Sequence, residues 1–364
     1  MFNSKHYIPI LKWKPAERQA LKNLGENEKK FLTPLIQLVM PQPKLAKSGE
    51  MEKSIDEQFD EVVEAFKVKM LQVPEEILNY WGKSPIFIDV NLIYTPDLKT
   101  ESIKQILEIG KELDLFLIPV INLSSDNEVK KVASELAKKY NGGLCLRLSI
   151  ADFSDEQKLH KDIKELLDSY SLSEKDVDLS IDLKDRNDKY QEIINLSQNI
   201  PNLKSWRTFI FASGAFPIDL SECVLGENDI PRRDWTSWLD QAKTNNLQRI
   251  PSFSDYATQH PIYKESVRFF TPSASIRYTL DEKWLIMRGQ KGKSSQYLAN
   301  AQLLSQDQKF NGLFRGAKFS FGDAYIVEKG KDLKSSKTGN ATTWLTAGIN
   351  HHLAYVSFQI SNLS

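Results

Sequence analysis

The stretch Leu144-Cys145-Leu146-Arg147-Leu148-Ser149, then Asp155 to Tyr170, then Val177-Asp178-Leu179-Ser180-Ile181-Asp182-Leu183 decides the reading of the fold. The two apolar runs are strands and the segment between them is helical. Side chains alternate along a strand, so each run has two faces. Leu144, Leu146 and Leu148 make one face of the first run; Val177, Leu179, Ile181 and Leu183 make one face of the second. Those faces are expected to meet helices. The opposite faces carry Cys145, Arg147 and Ser149, and Asp178, Ser180 and Asp182. Smaller or polar, these side chains suit a crowded interior that both strands share.

The rhythm continues in both directions. Upstream, strands are predicted at Tyr7–Trp13, Leu32–Val39, Pro85–Asn91 and Leu115–Asn122. Helices are predicted at Ala16–Leu24, Ser54–Met70, Pro74–Trp81, Ser102–Leu113 and Asn127–Tyr140. Downstream, strands are expected at Arg207–Ala212 and Arg249–Phe253, with helices at Lys189–Gln198 and Arg233–Thr244. Eight short apolar strands separated by helices are the pattern of a (β/α)8 TIM-like barrel, here over residues 1–261. An open doubly wound sheet is the competing arrangement, but no glycine-rich turn follows the first strand. After Pro261 the rhythm changes. Residues 262–364 read as a C-terminal extension packed on the barrel: a β-hairpin of Ser275–Thr279 and Trp284–Arg288, a helix at Ser295–Ser305, and a closing amphipathic helix at Thr343–Ser357. Phe319–Val327 reads as a strand or as a turn leading into a helix.

Composition narrows the function classes. Of 364 residues, 41% are hydrophobic and 26% charged, enough for a sizeable core. Lys plus Arg and Asp plus Glu are 48 each, so bulk charge gives no strong nucleic-acid signal. Cys145, inside an apolar strand, reads as a buried thiol rather than a nucleophile, and two cysteines in all fit a reducing compartment. Met1 to Lys5 lacks the apolar core of a signal peptide, and no run approaches the about 18 apolar residues of a membrane helix. The expectation is a cytoplasmic protein with no membrane partner.

Residues at the C-terminal ends of barrel strands converge on one mouth. Here they are Lys12, Lys14, Gln37, Asp89, Asn91, Asn122, Arg147, Ser149, Asp182, Lys184, Ser213, Asp255 and Tyr256. Ionised groups in such a place are either satisfied ion pairs filling space or a site. The sharper expectation is that Asp89, Arg147, Asp182, Asp255 and Tyr256 face one cavity. Arg147 would bind an anionic group with Lys12 and Asp89 beside it, Asp182 would orient Arg147 or a metal, and Asp255 and Tyr256 would act as base and acid. Arg232, Arg277 and Arg288 are further candidate anion clamps, although Arg277 and Arg288 also fit the solvated face of a hairpin. Asp89 and Asp182 could hold a divalent cation, but two carboxylates with no histidine nearby are a weak metal signal. His351 and His352 point about 100° apart on a helix, so they cannot chelate together; one is expected on the surface and one packed. The chain has no Walker loop, HExxH, zinc-type cysteine pairs or G-x-S-x-G elbow, and no cofactor is indicated.

Taken in order, several phrases resemble a known family. They are Tyr7 to Lys12 with Glu17 and Leu21, Thr33 to Ile36, Asp89, Leu144 to Leu148, Ser213 to Pro217, Ser254 to Tyr256 with His260 and Pro261, Ile276 to Tyr278, Gly322 with Asp323, Trp344, and His351 with His352. Together the chain is similar to the beta protein family of bacteria and phages. The resemblance implies a cytoplasmic protein near mobile elements or phage-defence genes, with a partner encoded by a neighbouring defence gene, and no particular reaction. Similar proteins often carry an acidic residue where this chain has Gln37, which weakens a carboxylate mechanism at that strand end. Two functions follow. One is a site at the mouth for a phosphorylated or otherwise anionic small molecule, a nucleotide among the candidates. The other is a non-catalytic recognition or scaffold subunit of a defence system.

Overall fold

The apolar runs form a parallel sheet that closes on itself. A computed structural model describes residues 2–42, 54–244, 246–264 and 271–363. The sheet strands are β1 (Ile10–Lys12), β2 (Leu35–Gln37), β3 (Ile86–Asp89), β4 (Leu117–Ile121), β5 (Leu144–Ser149), β6 (Val177–Asp182), β7 (Thr208–Ala212) and, after an intervening strand β8 (Gly226–Pro231), β9 (Ser252–Ser254). They are ordered β1-β2-β3-β4-β5-β6-β7-β9, each pair parallel. Closure comes from the backbone: Ile8 N–H donates to Phe253 O at 2.9 Å and Ile10 N–H to Asp255 O at 2.7 Å. The (β/α)8 barrel expected from the sequence is therefore the fold.

The helices are α1 (Pro15–Lys22), α2 (Glu26–Lys29), α3 (Ile55–Tyr80), α4 (Pro96–Glu112), α5 (Asn127–Lys139), α6 (Glu156–Ser169), α7 (Tyr190–Ser197) and α8 (Arg233–Thr244). They cover the outer face, where Leu144, Leu146, Leu148, Val177, Leu179, Ile181 and Leu183 join the main apolar core. Inside lie Ile8, Ile10, Leu35, Phe87, Ile118, Val120, Cys145 and Ile210. The face assignment for β5 and β6 holds, because outward leucines bury against helices while the narrow interior is filled in layers from alternate strands. Two helices were expected across 54–81, but α3 runs unbroken through Pro74. Its buried face of Phe66, Met70, Val73 and Ile77 against the barrel outweighs the one backbone donor that proline removes.

The extension holds β10 (Ile276–Thr279), β11 (Lys283–Arg288), α9 (Gln296–Gln306), α10 (Phe321–Gly330) and α11 (Ala341–Ser361). The hairpin gains a third, antiparallel strand, β8, in the order β10-β11-β8. Phe319–Val327 resolves as the entry to α10, with Ser320 capping Asp323 N–H. No described helix is long and apolar enough to cross a membrane.

Candidate functional site

The floor of the mouth is an arginine held between two aspartates. Arg147 Nη1 binds Asp89 Oδ2, and Nη2 donates to Asp182 Oδ2 at 2.6 Å and to Tyr256 Oη at 2.7 Å. Tyr256 donates in turn to Asp182, 2.8 Å from Oδ2. All four are buried. Burial opposes a charge on Asp182, yet Arg147 and Lys184 override it and hold the carboxyl well below the usual range. Burial also opposes the Arg147 cation, and Asp182, Tyr256 and Asp89 hold it firmly charged. Burial first, then Asp182, keeps the Tyr256 hydroxyl protonated although Arg147 pulls the other way.

The strand exits share one local device. Asp89, Asp182 and Asp255 each accept the backbone N–H two residues on, from Asn91 at 2.9 Å, Lys184 at 3.0 Å and Ala257 at 3.0 Å. Lys184 and Ala257 sit in the left-handed region, φ 54° and 52°, which a short polar side chain two residues earlier helps to hold. Gly214, after β7, is fixed by closeness rather than by its backbone angles. A Cβ there would lie 2.4 Å from Pro261 Cγ and 3.0 Å from Tyr256 Cδ2.

Around this floor stand lysines and amides. Gln37 Nε2 donates to Asp89 Oδ2 at 3.0 Å, and Asn91 Nδ2 to Asp89 Oδ1 at 2.6 Å. Lys184 Nζ is 3.0 Å from Asp182 Oδ2. Lys12 and Lys184 approach the Tyr256 ring, 5.2 and 5.3 Å from its centroid. Lys12 is only 4% exposed. Its Nζ donates to His260 O at 2.8 Å. Burial lowers its pKa to about 7, with Glu17 opposing and Lys184, Lys14 and Arg147 reinforcing the shift. Burial conversely raises the Glu17 carboxyl. Glu17 Oε1 accepts Gln259 Nε2 at 2.6 Å, while Glu17 Oε2 and Gln37 Oε1 are buried without a hydrogen-bond partner among the described residues.

Asp255 does not face the mouth, contrary to the sequence-based expectation. Asp255 and Tyr256 lie just past β9, and their side chains diverge as strand neighbours do: Tyr256 meets Arg147 and Asp182, Asp255 meets Tyr7 and His352. Asp255 shares the outer face with Phe253, which packs on Trp235 and Trp238 at 5.0 and 5.4 Å. There it accepts from Tyr7 Oη and lies 2.9 Å from His352 Nε2. An acid–base pair with Tyr256 is geometrically excluded. Arg232 is also off the mouth, buried against α11 and the β10–β11 turn, with Nη1 donating to Leu280 O at 2.9 Å and to Gln359 Oε1 at 2.9 Å. Beside it, burial and the nearby Asp255 push Asp234 up to about 7. Arg277 stacks over Phe216 at 4.7 Å and donates to Thr258 O, so it pins the segment after Tyr256. Arg288 lies at the end of β11, paired with Gly226 of β8.

Both histidines of α11 are buried, correcting the expectation of one on the surface. His351 Nδ1 is 2.8 Å from Asp323 Oδ2 and Nε2 is 2.9 Å from Thr279 O. His352 Nδ1 meets Thr279 Oγ1 at 2.9 Å. Burial lowers the pKa of His352, whose contacts fit a neutral ring donating to Asp255. The pair joins barrel, hairpin and α10. Glu17 and Gln259 are the mouth residues that strand-end reasoning missed, since neither lies on a strand. A polar residue in the first turn after a barrel strand was the available signal for Glu17.

The sequence matches no curated protein. Among solved structures, the catalytic module of a family 98 glycoside hydrolase from Streptococcus pneumoniae TIGR4, in complex with the LewisY pentasaccharide blood group antigen, is similar at 12% identity and a TM-score of 0.33. That similarity covers 70% of this chain, which spans about half, 47%, of the module. The family model described as Beta protein matches residues 7–358, nearly the whole length, and the chain belongs to the beta protein family.

Proposed function

We propose that the barrel mouth binds a phosphorylated or otherwise anionic small molecule, with nucleotides among the candidates, in the phage-defence or mobile-element setting that the family resemblance implies. The observation that carries this reading is Lys12. It is a buried ammonium donor with His260 O as its hydrogen-bond acceptor, and Lys14 and Lys184 add positive charge to its surroundings. A buried lysine carries a desolvation cost that an anion relieves. Arg147 is not the anion clamp in this reading, because Asp89, Asp182 and Tyr256 already occupy its Nη atoms. It sets a rigid floor, and Lys12 with Lys184 receives the ligand, which enters beside the 40% exposed side chain of Lys184.

A thermal-shift screen with phosphate, pyrophosphate and nucleotides tests this. A ligand at 100 times its Kd stabilises the folded state by about 2.7 kcal/mol. At least one anion should raise the melting temperature of the wild type, and Lys12→Met should remove the shift. No shift with any anion, or an undiminished shift in Lys12→Met, would overturn the reading. The closed Arg147 floor favours a second reading, in which the barrel is a scaffold for a protein from a neighbouring defence gene. Silence across all anions would favour that one.

A further inference from the structure

Two buried acceptors on the β1–β2 side of the mouth have no hydrogen-bond partner among the described residues. Glu17 Oε2 and Gln37 Oε1 each belong to a residue only 1% exposed. Unpaired buried acceptors are uncommon in native structures, and each costs about 1–3 kcal/mol if left so. Their placement follows from the fold. Gln37 is the last residue of β2, opposite Lys12 of β1, and its amide nitrogen is already committed to Asp89. That commitment fixes the amide orientation and leaves the oxygen as an acceptor. Glu17 lies in the first turn of α1, with its other oxygen taken by Gln259. Lys12, in register with Gln37 across β1 and β2 and close enough to Glu17 for their charges to interact, supplies a donor.

This side of the mouth thus offers two acceptors beside one cationic donor. A bare phosphate at neutral pH is mainly an acceptor, and its dianion, with one P–OH donor, satisfies Lys12 and at most one of the two oxygens. A ligand that also presents hydroxyl donors satisfies all three. We propose that Glu17 and Gln37 form a subsite for neighbouring hydroxyl groups, so that the ligand is a sugar phosphate, free or as the ribose phosphate part of a nucleotide, rather than an inorganic phosphate. This rests on the anion-site reading above.

Equilibrium binding by calorimetry with ribose 5-phosphate, glucose 6-phosphate, AMP, inorganic phosphate and pyrophosphate separates the two claims. In the wild type at least one of the three sugar phosphates should bind ten-fold or more tightly than inorganic phosphate. Glu17→Gln keeps an oxygen for Gln259 but turns the free acceptor into a donor. It should bring that compound down to within about three-fold of inorganic phosphate, both measured on the same variant. If inorganic phosphate or pyrophosphate binds as well as every sugar phosphate, or the preference survives in Glu17→Gln, the hydroxyl subsite is refuted while the anion site stands. Binding of none of the five compounds would refute both. A preference for AMP over both simple sugar phosphates would assign the nucleotide as the source of the ribose phosphate.

Discussion

At the scale of single residues, the mouth separates two kinds of buried charge. Arg147 is ion-paired from two sides, whereas Lys12 hydrogen-bonds a carbonyl and has the nearby Glu17 charge only partly offsetting its burial. Removing one member of a buried ion pair leaves its partners uncompensated, at about 3–5 kcal/mol. Arg147→Ala should therefore destabilise the fold by that amount in urea unfolding, since it strands Asp89 and Asp182 together inside the barrel. A loss below about 1 kcal/mol would mean that the two aspartates find other partners. The general form of this floor was legible in the sequence: Arg147 and Asp182 fall on inward faces of neighbouring strands by period-two counting alone. What counting could not give was the stoichiometry. Two carboxylates and a phenol share one guanidinium, and the proposed role of anion receptor accordingly passes from Arg147 to Lys12 and Lys184. The orphaned oxygens of Glu17 and Gln37 were likewise invisible, because an unmet hydrogen bond is a property of three-dimensional surroundings.

At the scale of elements, strand parity explains both the successes and the main error. For β5 and β6 the alternation of leucine or isoleucine with polar residues marks the two faces. At the exit of β9 there is no such contrast, as Phe253, Asp255 and Tyr256 are all buried, and parity has to be applied rather than seen. It places Asp255 against Tyr7 and His352, where it ties the barrel to α11. Asp255→Asn keeps the size but weakens an acceptor that serves two side chains and one backbone N–H. It should lower stability by about 1–3 kcal/mol and leave pyrophosphate affinity unchanged. Loss of affinity with stability intact would instead put Asp255 in the site. β8 escaped sequence reading for a related reason. Gly226–Pro231 has no buried residue, so it carries no apolar alternation and is a strand only because β11 offers it a partner. The histidines of α11 were misjudged because that helix is enclosed by barrel, hairpin and α10, and a helix buried on most of its surface shows no clear polar side.

At the scale of the molecule, the barrel brings groups from β1, β2, β3, β5, β6 and the exit of β9 to one end, as parallel strands must. The extension closes over the outer face near β9 and β1 through α11, and Arg277 of β10 reaches back to the segment that follows Tyr256. The most direct test of the resulting site is proton linkage at Lys12. With a pKa of about 7 set by burial, Lys12 is mostly neutral at pH 8. An anion beside it favours the charged form, so its pKa rises on binding and the protein takes up a proton; the sign is fixed by that order of pKa values. Calorimetric titration of pyrophosphate at pH 8, in Tris and in HEPES, measures this uptake, because the proton comes from the buffer and the two buffers absorb different heats on releasing it. Uptake approaching about one proton per bound anion is expected in the wild type, falling towards zero at pH 6 and in Lys12→Met at either pH. Binding without uptake at pH 8, or the same uptake in Lys12→Met, would contradict the assignment of Lys12 as the anion receptor of the barrel mouth.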